Sequence, residues 1–214
     1  MVKDAFSHVR AWVFDLDNTL YPPEIRLFDQ IERLMTAYVS VTLGVSHAEA
    51  DHLRGHYWKT YGTTLAGLMA EHDLDPEPYL VAVHDIDMGV LPPDPGLAAA
   101  ITALEGRKIV YTNGSAPYAE RVIAARGLSG VFDAVYGVEH AGYRPKPERD
   151  AFLRVFAADG LDPRAGAMFE DDPRNLAAPH AMGMRTVHVA PAAAEEPHVE
   201  FHAGDLPAFL SQLG

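Results

Sequence analysis

Ala-Trp-Val-Phe-Asp-Leu-Asp-Asn-Thr-Leu, residues 11–20, decides how the rest of the chain is read. Four apolar residues form a strand-like run that stops at Asp15, and a second carboxylate, Asp17, follows two positions later. A short, wholly apolar strand is the pattern of a sheet buried on both faces. In an open α/β sheet the carboxyl ends of such strands are where ligands bind. Two carboxylates aimed into one crevice repel each other until a cation or a shared proton relieves them. A hard divalent ion with oxygen ligands suits the pair, and magnesium also neutralises phosphate oxygens. An isolated Asp-x-Asp carries little weight, because acidic pairs also end strands and cap helices.

Working outward, further strand-like runs occur at Lys108–Thr112, Ala134–Gly137, Ala167–Glu170 and Arg185–Val189. Helical patterns lie between the later ones, at Pro117–Arg126, Pro147–Ala158 and Pro173–Met182. Proline opens each and glycine follows shortly after each end, the asymmetry expected of helix termini. Strands alternating with helices predict a three-layer, Rossmann-like α/β core around a mostly parallel sheet. Residues 21–91 break the alternation, with helical periodicity and no convincing strand. Ile25, Phe28, Ile31, Leu34 and Met35 share one helical face. Ser46 and Glu49 have capping-box spacing, and further helices are expected near Thr64–His72 and after Pro76. Leu91-Pro92-Pro93-Asp94-Pro95-Gly96 then forms a stiff, helix-breaking hinge. The expected organisation is therefore an α/β core of residues 1–20 and 92–214, with an all-α cap inserted at 21–91. Residues 190–197 (APAAAEEP) read as a surface loop.

Three other segments, each ending a strand or opening a helix, carry chemistry. Tyr111-Thr112-Asn113-Gly114-Ser115 offers a hydroxyl and a turn whose N–H groups can face an anion. Arg144-Pro145-Lys146-Pro147 holds a lysine between two residues of fixed φ, just ahead of the helix expected near Glu148. Phe169-Glu170-Asp171-Asp172-Pro173-Arg174-Asn175 sets three acids where another buried strand ends. Asp172-Pro173 suits a helix cap, but three adjacent acids exceed what capping needs.

In this order and spacing the four pieces resemble the motifs of the haloacid dehalogenase superfamily. The resemblance covers about residues 10–20 and 92–190, and the helical insert after the first motif is similar to that superfamily's α-helical cap subclass. Within it, DLDNTLY, YTNGS, RPKP and FEDDPRN look most like pyrimidine 5′-nucleotidases. The resemblance implies a Mg²⁺-dependent phosphatase with Asp15 as nucleophile and Asp17 as proton donor and acceptor. Thr112, Asn113 and Lys146 would bind the phosphoryl oxygens. The metal would be held by Asp15, the main-chain carbonyl of Asp17, and Asp171. Many relatives have glycine before the first acid of the last motif and another acid several residues later. Glu170 and Leu176 stand there in this chain, so Asp171 and Asp172 are expected to supply the acidic groups. Dehalogenases of the superfamily generally lack an acid at the place of Asp17.

The chain's bulk properties fit this reading. It has 214 residues, 48% of them hydrophobic, enough to bury a core. Net charge is −13, from 30 acidic and 17 basic residues, which disfavours a nucleic-acid partner and leaves a small phosphorylated metabolite as the expected one. No apolar run reaches the roughly 18 residues of a membrane span, and MVKDAFSHVR lacks a signal-like apolar stretch. With no cysteine there is neither disulfide framework nor thiol nucleophile, so the cytoplasm is the expected compartment. Tyr21, Phe28, Tyr57, Trp58 and Tyr61 are candidates to stack on a base, against the plainer reading that they are core. The 11 histidines show no metal-ligand spacing. The rival activities are a sugar-phosphate phosphatase and, further off, a 2-haloacid dehalogenase.

Overall fold

The computed structural model describes residues 2–213. Six parallel strands make one sheet in the order β3-β2-β1-β4-β5-β6. They are β1 Ala11–Phe14, β2 Arg107–Tyr111, β3 Ala134–Tyr136, β4 Gly166–Glu170, β5 Arg185–Val189 and β6 Phe201–Ala203. β1 lies at the centre, in register with β2 through Val13 and Ile109 and with β4 through Val13 and Met168. The chain winds outward from β1 in both directions, so the β1–β4 boundary is the switch point where an α/β sheet opens its crevice.

Every residue of β1 and β4 is buried, which is why these strands read as unbroken apolar runs. Trp12, Phe14, Val110 and Phe169 belong to one apolar cluster, and Val13, Ile109, Tyr111 and Met168 to another. The Phe14 and Phe169 rings stack with centroids 4.7 Å apart. On the second face Phe152 and Phe156 of a covering helix complete the layer.

The helices are α1 Val2–Ala5, α2 Phe28–Leu43, α3 His47–Tyr61, α4 Thr64–His72, α5 Pro76–Val83, α6 Pro95–Thr102, α7 Ala116–Ala125, α8 Arg149–Asp159, α9 Ala177–Ala181 and α10 Leu206–Leu210. α2–α5 fill the long interval between β1 and α6 without a strand, as expected for a helical cap. Their ends follow local chemistry. Gly44 closes α2 with φ 66°, and the hydroxyls of Ser46 and Thr63 accept from Glu49 N and Ala66 N to cap α3 and α4. Asp75 caps α5 ahead of Pro76. α4 crosses α3 where Gly67 meets Tyr57; a Cβ on Gly67 would lie 2.3 Å from the Tyr57 ring, so glycine is required by close approach.

Arg126, at the end of α7, is buried and ties both linkers to the core. Its guanidinium donates to the Leu20 carbonyl at 3.1 Å, to the Pro92 carbonyl, and to Asp94 Oδ2 at 2.7 Å. Asp94 also caps α6 through Leu97 N.

Several details differ from the sequence reading. The Pro173–Met182 helix is a 3₁₀ turn at Pro173–Leu176 followed by α9, because Pro179 supplies no N–H to a longer ladder. Pro147 does not open α8: its bond to Lys146 is cis, and the helix starts at Arg149. β6, at the sheet edge, was not expected, since Phe201-His202-Ala203 is too short to show a period.

Candidate active site

The carboxyl ends of β1, β2 and β4 bring the four motifs together. Asp15 is the first residue beyond β1 and its N–H donates to the Phe169 carbonyl of β4, which fixes the start of the loop. Asn18 turns that loop with φ 58° and sends its side-chain amide to Asp171 Oδ2 at 3.3 Å. Asparagine tolerates this left-handed conformation better than most residues. Thr112 is the first residue beyond β2, and its Oγ accepts from Gly114 N at 2.9 Å, which leaves the hydroxyl hydrogen free to donate elsewhere.

Lys146 is 1% exposed, and its ammonium donates to Asp15 Oδ1 at 2.6 Å, Glu170 Oε2 at 2.6 Å and the Tyr111 carbonyl at 3.1 Å. All three of its donors are therefore used. Asn113 fastens the segment that carries it: its Oδ1 accepts from Lys146 N at 2.8 Å and its Nδ2 donates to Lys146 O at 3.1 Å. The side chain of Asn113 thus has a role in holding the lysine that the motif alone did not suggest.

Asp15, Glu170 and Asp171 form the acidic cluster, each offering a carboxylate oxygen, with these atoms within 4.8 Å of one another. Burial, then the charge of Glu170, pushes the Asp15 carboxyl up to about 8, although Lys146 works in the opposite sense. Burial also holds the Asp171 carboxyl well above the carboxylate range, reinforced by Glu170 and Asp15. For Lys146 burial disfavours its charge, but Asp15 and Glu170 outweigh that and hold it protonated. Three hard oxygen donors carry more negative charge than one ammonium offsets, and the remainder is resisted by burial. This donor set fits a divalent magnesium ion.

Glu170 is thus the third member of the cluster, in place of the expected Asp172. The Asp172 carboxylate turns away to cap the following 3₁₀ turn through Arg174 N at 3.0 Å and to grip the Arg174 guanidinium at 2.5 Å. Arg174 in turn lies 3.8 Å from the ring centre of Trp58 in α3, so a face of that indole is already covered. The signal for Glu170 was its place in the run of three acids.

Asp17 Oδ1 accepts from the hydroxyls of Tyr21 at 2.7 Å and Tyr118 at 2.5 Å. Burial raises the Asp17 carboxyl, and the two hydroxyls oppose that rise. Tyr21 is buried with its hydroxyl committed to Asp17, which corrects its reading as a stacking residue. Tyr57 is buried too, its hydroxyl turned to Glu71 and His72, and the Tyr61 hydroxyl donates to Glu71. Phe28 and Trp58, by contrast, line a cavity of about 500 Å³ between α2–α5 and the sheet edge. Asp17, Asn113 and Gly114 form its floor, and Ile31, Met35, Leu65, Leu80 and Val83 make much of its wall apolar.

Residues 9–183 match the haloacid dehalogenase-like hydrolase family, and the chain belongs to it. It is 26% identical over 194 residues to phosphate metabolism protein 8 of Saccharomyces cerevisiae, covering 82% of this chain and 60% of the yeast protein. It is 33% identical over 95 residues to fructose-1-phosphate phosphatase YqaB of Escherichia coli, covering 44% of this chain and 50% of that one. The alignments thus span 60% and 50% of the lengths of these relatives. Among solved structures, the HAD phosphatase of Thermococcus onnurineus superposes with a TM-score of 0.63 at 19% identity, covering 96% of this chain and 98% of that chain. The parallel core with its helical cap is therefore the fold of a hydrolase family that includes phosphatases. No described helix is long and apolar enough to cross a membrane.

Proposed function

We propose that the protein is a Mg²⁺-dependent phosphomonoesterase working through an aspartyl phosphate on Asp15, with nucleoside 5′-monophosphates, pyrimidines foremost, as substrates. One observation carries the reading: Asp15 is held by the buried Lys146, and two residues on, the hydroxyl-held Asp17 lines the cavity beneath the helices. Uncatalysed phosphomonoester hydrolysis is slow enough to require accelerations up to ~10²¹, and a covalent intermediate divides that barrier. Asp15 attacks phosphorus as the bond to the leaving oxygen breaks. Asp17 gives its proton to that oxygen, then takes one from the water that attacks the acyl phosphate. Thr112, with its free hydroxyl hydrogen, and the Asn113 N–H bind the phosphoryl oxygens, and Lys146 joins them with the hydrogen it releases from Asp15 as that carboxylate turns to phosphorus. Asp15, Asp171 and the Asp17 carbonyl, with Glu170 beside them, would hold the magnesium ion, which neutralises charge between carboxylate and phosphate. Residues 21–91 act as a cap that covers the substrate and excludes water. The reaction needs no membrane or nucleic acid, and the cytoplasm suits it.

The apolar wall built from Phe28, Ile31, Met35, Leu65, Leu80 and Val83 favours a flat, weakly polar leaving group over a polyhydroxylated sugar. The similarity to a fructose-1-phosphate phosphatase of Escherichia coli favours the second reading, a sugar-phosphate phosphatase. Phosphate release should be measured over nucleotides and sugar phosphates, with magnesium and with chelator. The first reading expects higher kcat/KM for nucleotides, no release in chelator, and none for Asp15→Asn. Preference for sugar phosphates selects the second, and chloride release from a 2-haloacid without phosphatase activity discards both.

A further inference from the structure

The hydroxyls on Asp17 are unusual in converging on one oxygen. Tyr21 comes from the loop after β1 and Tyr118 from the first turn of α7, 97 residues on in the chain, yet both donate to Oδ1. Oδ2 receives neither, and Asp17 lines the cavity. Each hydroxyl has one hydrogen to give, so both are spent on holding this carboxylate. Both tyrosines are 1% exposed, so water cannot easily replace them.

Tyr118 is braced from the cap. Its ring stacks on His84, just past the end of α5, with centroids 4.2 Å apart and planes 5° from parallel. His84 Nδ1 lies 3.1 Å from Ser115 Oγ, the hydroxyl that also caps α7 through Tyr118 N. Arg121, one turn further along α7, donates to the carbonyls of His84 and Ile86 at 2.9 Å each. His84 is buried. The N-terminal half of α7, which presents the Tyr118 hydroxyl, is therefore fastened to the cap's C-terminal end by a ring stack and three polar contacts.

We propose that Tyr118, seconded by Tyr21 and braced by His84, is a positioning residue that fixes the rotamer of Asp17, so that Oδ2 faces the substrate's leaving oxygen and the seating of the cap sets the aim of the acid. This rests on the reading of Asp17 as the proton donor. In the first half-reaction the phosphorus–oxygen bond breaks, the bond from Asp15 to phosphorus forms, and the Asp17 proton goes to the leaving oxygen. An alkoxide needs that proton far more than a phenolate stabilised by a nitro group does. A misaimed acid thus penalises the two leaving groups unequally.

The test is Tyr118→Phe, which removes the hydroxyl and keeps the ring on His84. kcat/KM covers the steps through departure of the leaving group, so it is measured for a nucleoside 5′-monophosphate and for p-nitrophenyl phosphate. General acid catalysis is worth about 10²–10⁴-fold, and misplacing a group by about an ångström can cost about 10²-fold. The expected loss for the nucleotide is therefore about tenfold or more. It should exceed the loss for the aryl ester at least fivefold, with KM little altered. A crystal structure of the variant should show Asp17 in a second rotamer. Equal losses on both substrates with Asp17 unmoved overturn the proposal. If Asp17→Asn hydrolyses nucleotides at the wild-type rate, the acid reading itself falls. If Asp17→Asn is inactive while Tyr118→Phe behaves as wild type, the positioning claim alone falls. Should Tyr118→Phe fail to fold, Tyr21→Phe removes the other hydroxyl and is read by the same ratio and the same rotamer.

Discussion

Replacing Lys146 by methionine isolates what the buried ammonium does. The substitution keeps most of the apolar stem and deletes three hydrogen bonds, two of them to carboxylates at 2.6 Å. The side chains involved are 1% exposed for Lys146, 7% for Asp15 and 1% for Glu170, so neither water nor salt screens the loss. Removing one partner of a buried ion pair typically costs about 3–5 kcal/mol, because the remaining charge is left uncompensated. Against a total stability of about 5–15 kcal/mol, that is a large fraction. For a chain of this length each kcal/mol moves the melting temperature by roughly 2–4 °C. Thermal melts in chelator at pH 8 should accordingly show Lys146→Met lower than wild type by roughly 6–20 °C. The deficit should shrink at pH 5. There the Asp15 carboxyl, pushed up to about 8 even beside the lysine, carries a proton and no longer needs a counter-charge. A deficit under about 2 °C at pH 8, or one no smaller at pH 5, would show that the ammonium does not hold this cluster together.

Two further outcomes follow from the same contacts. Asp15, Asp17 and Asp171 all have carboxyls raised in the folded state, so without metal the folded protein binds protons more tightly than the unfolded chain. That stability is present at low pH and lost as pH rises, for Asp15 between about 4 and about 8, by about 1.4 kcal/mol per pH unit for each proton involved, with Asp17 and Asp171 acting in the same direction. Burial lowers His84 to about 4, which gives the opposite sign, but it enters equally with and without metal. The melting-temperature gap between saturating Mg²⁺ and chelator should therefore widen from pH 5 to pH 8; a constant gap contradicts a metal held by these acids. In the cap, Gly67→Ala puts a methyl 2.3 Å from the Tyr57 ring. Overpacking of this kind costs about 1–3 kcal/mol, a drop of roughly 2–12 °C in melting temperature; an unchanged melt would show that α3 and α4 can separate freely.

Much of this was legible in the sequence because it is written in local pattern. Buried parallel strands are short apolar runs, and their carboxyl ends carried Asp15, Thr112 and the acids after Phe169. Prolines, glycines and Ser46 marked helix ends by rules that involve only neighbouring residues. What escaped depends on contacts between distant positions. Nothing near Tyr118 says that its hydroxyl meets Asp17, and nothing near Arg126 says that it holds the carbonyls of Leu20 and Pro92. Asp171 and Asp172 are neighbours, yet one turns to Asn18 and the acidic cluster while the other grips Arg174. That choice is made by the turn after β4 and by a residue in another motif. The same holds for the aromatics: Tyr21 and Trp58 are alike in pattern, but one solvates a carboxylate and the other receives an arginine.

The central claim is that Asp15 becomes phosphorylated. The direct measurement is to mix enzyme, magnesium and radiolabelled nucleoside monophosphate, quench in acid within one turnover, and map the label by peptide digestion. Acid-stable, hydroxylamine-labile phosphate is expected on the peptide that contains Asp15, and none in Asp15→Asn. Turnover that proceeds with no label on that peptide, or with the label on another residue, would contradict it.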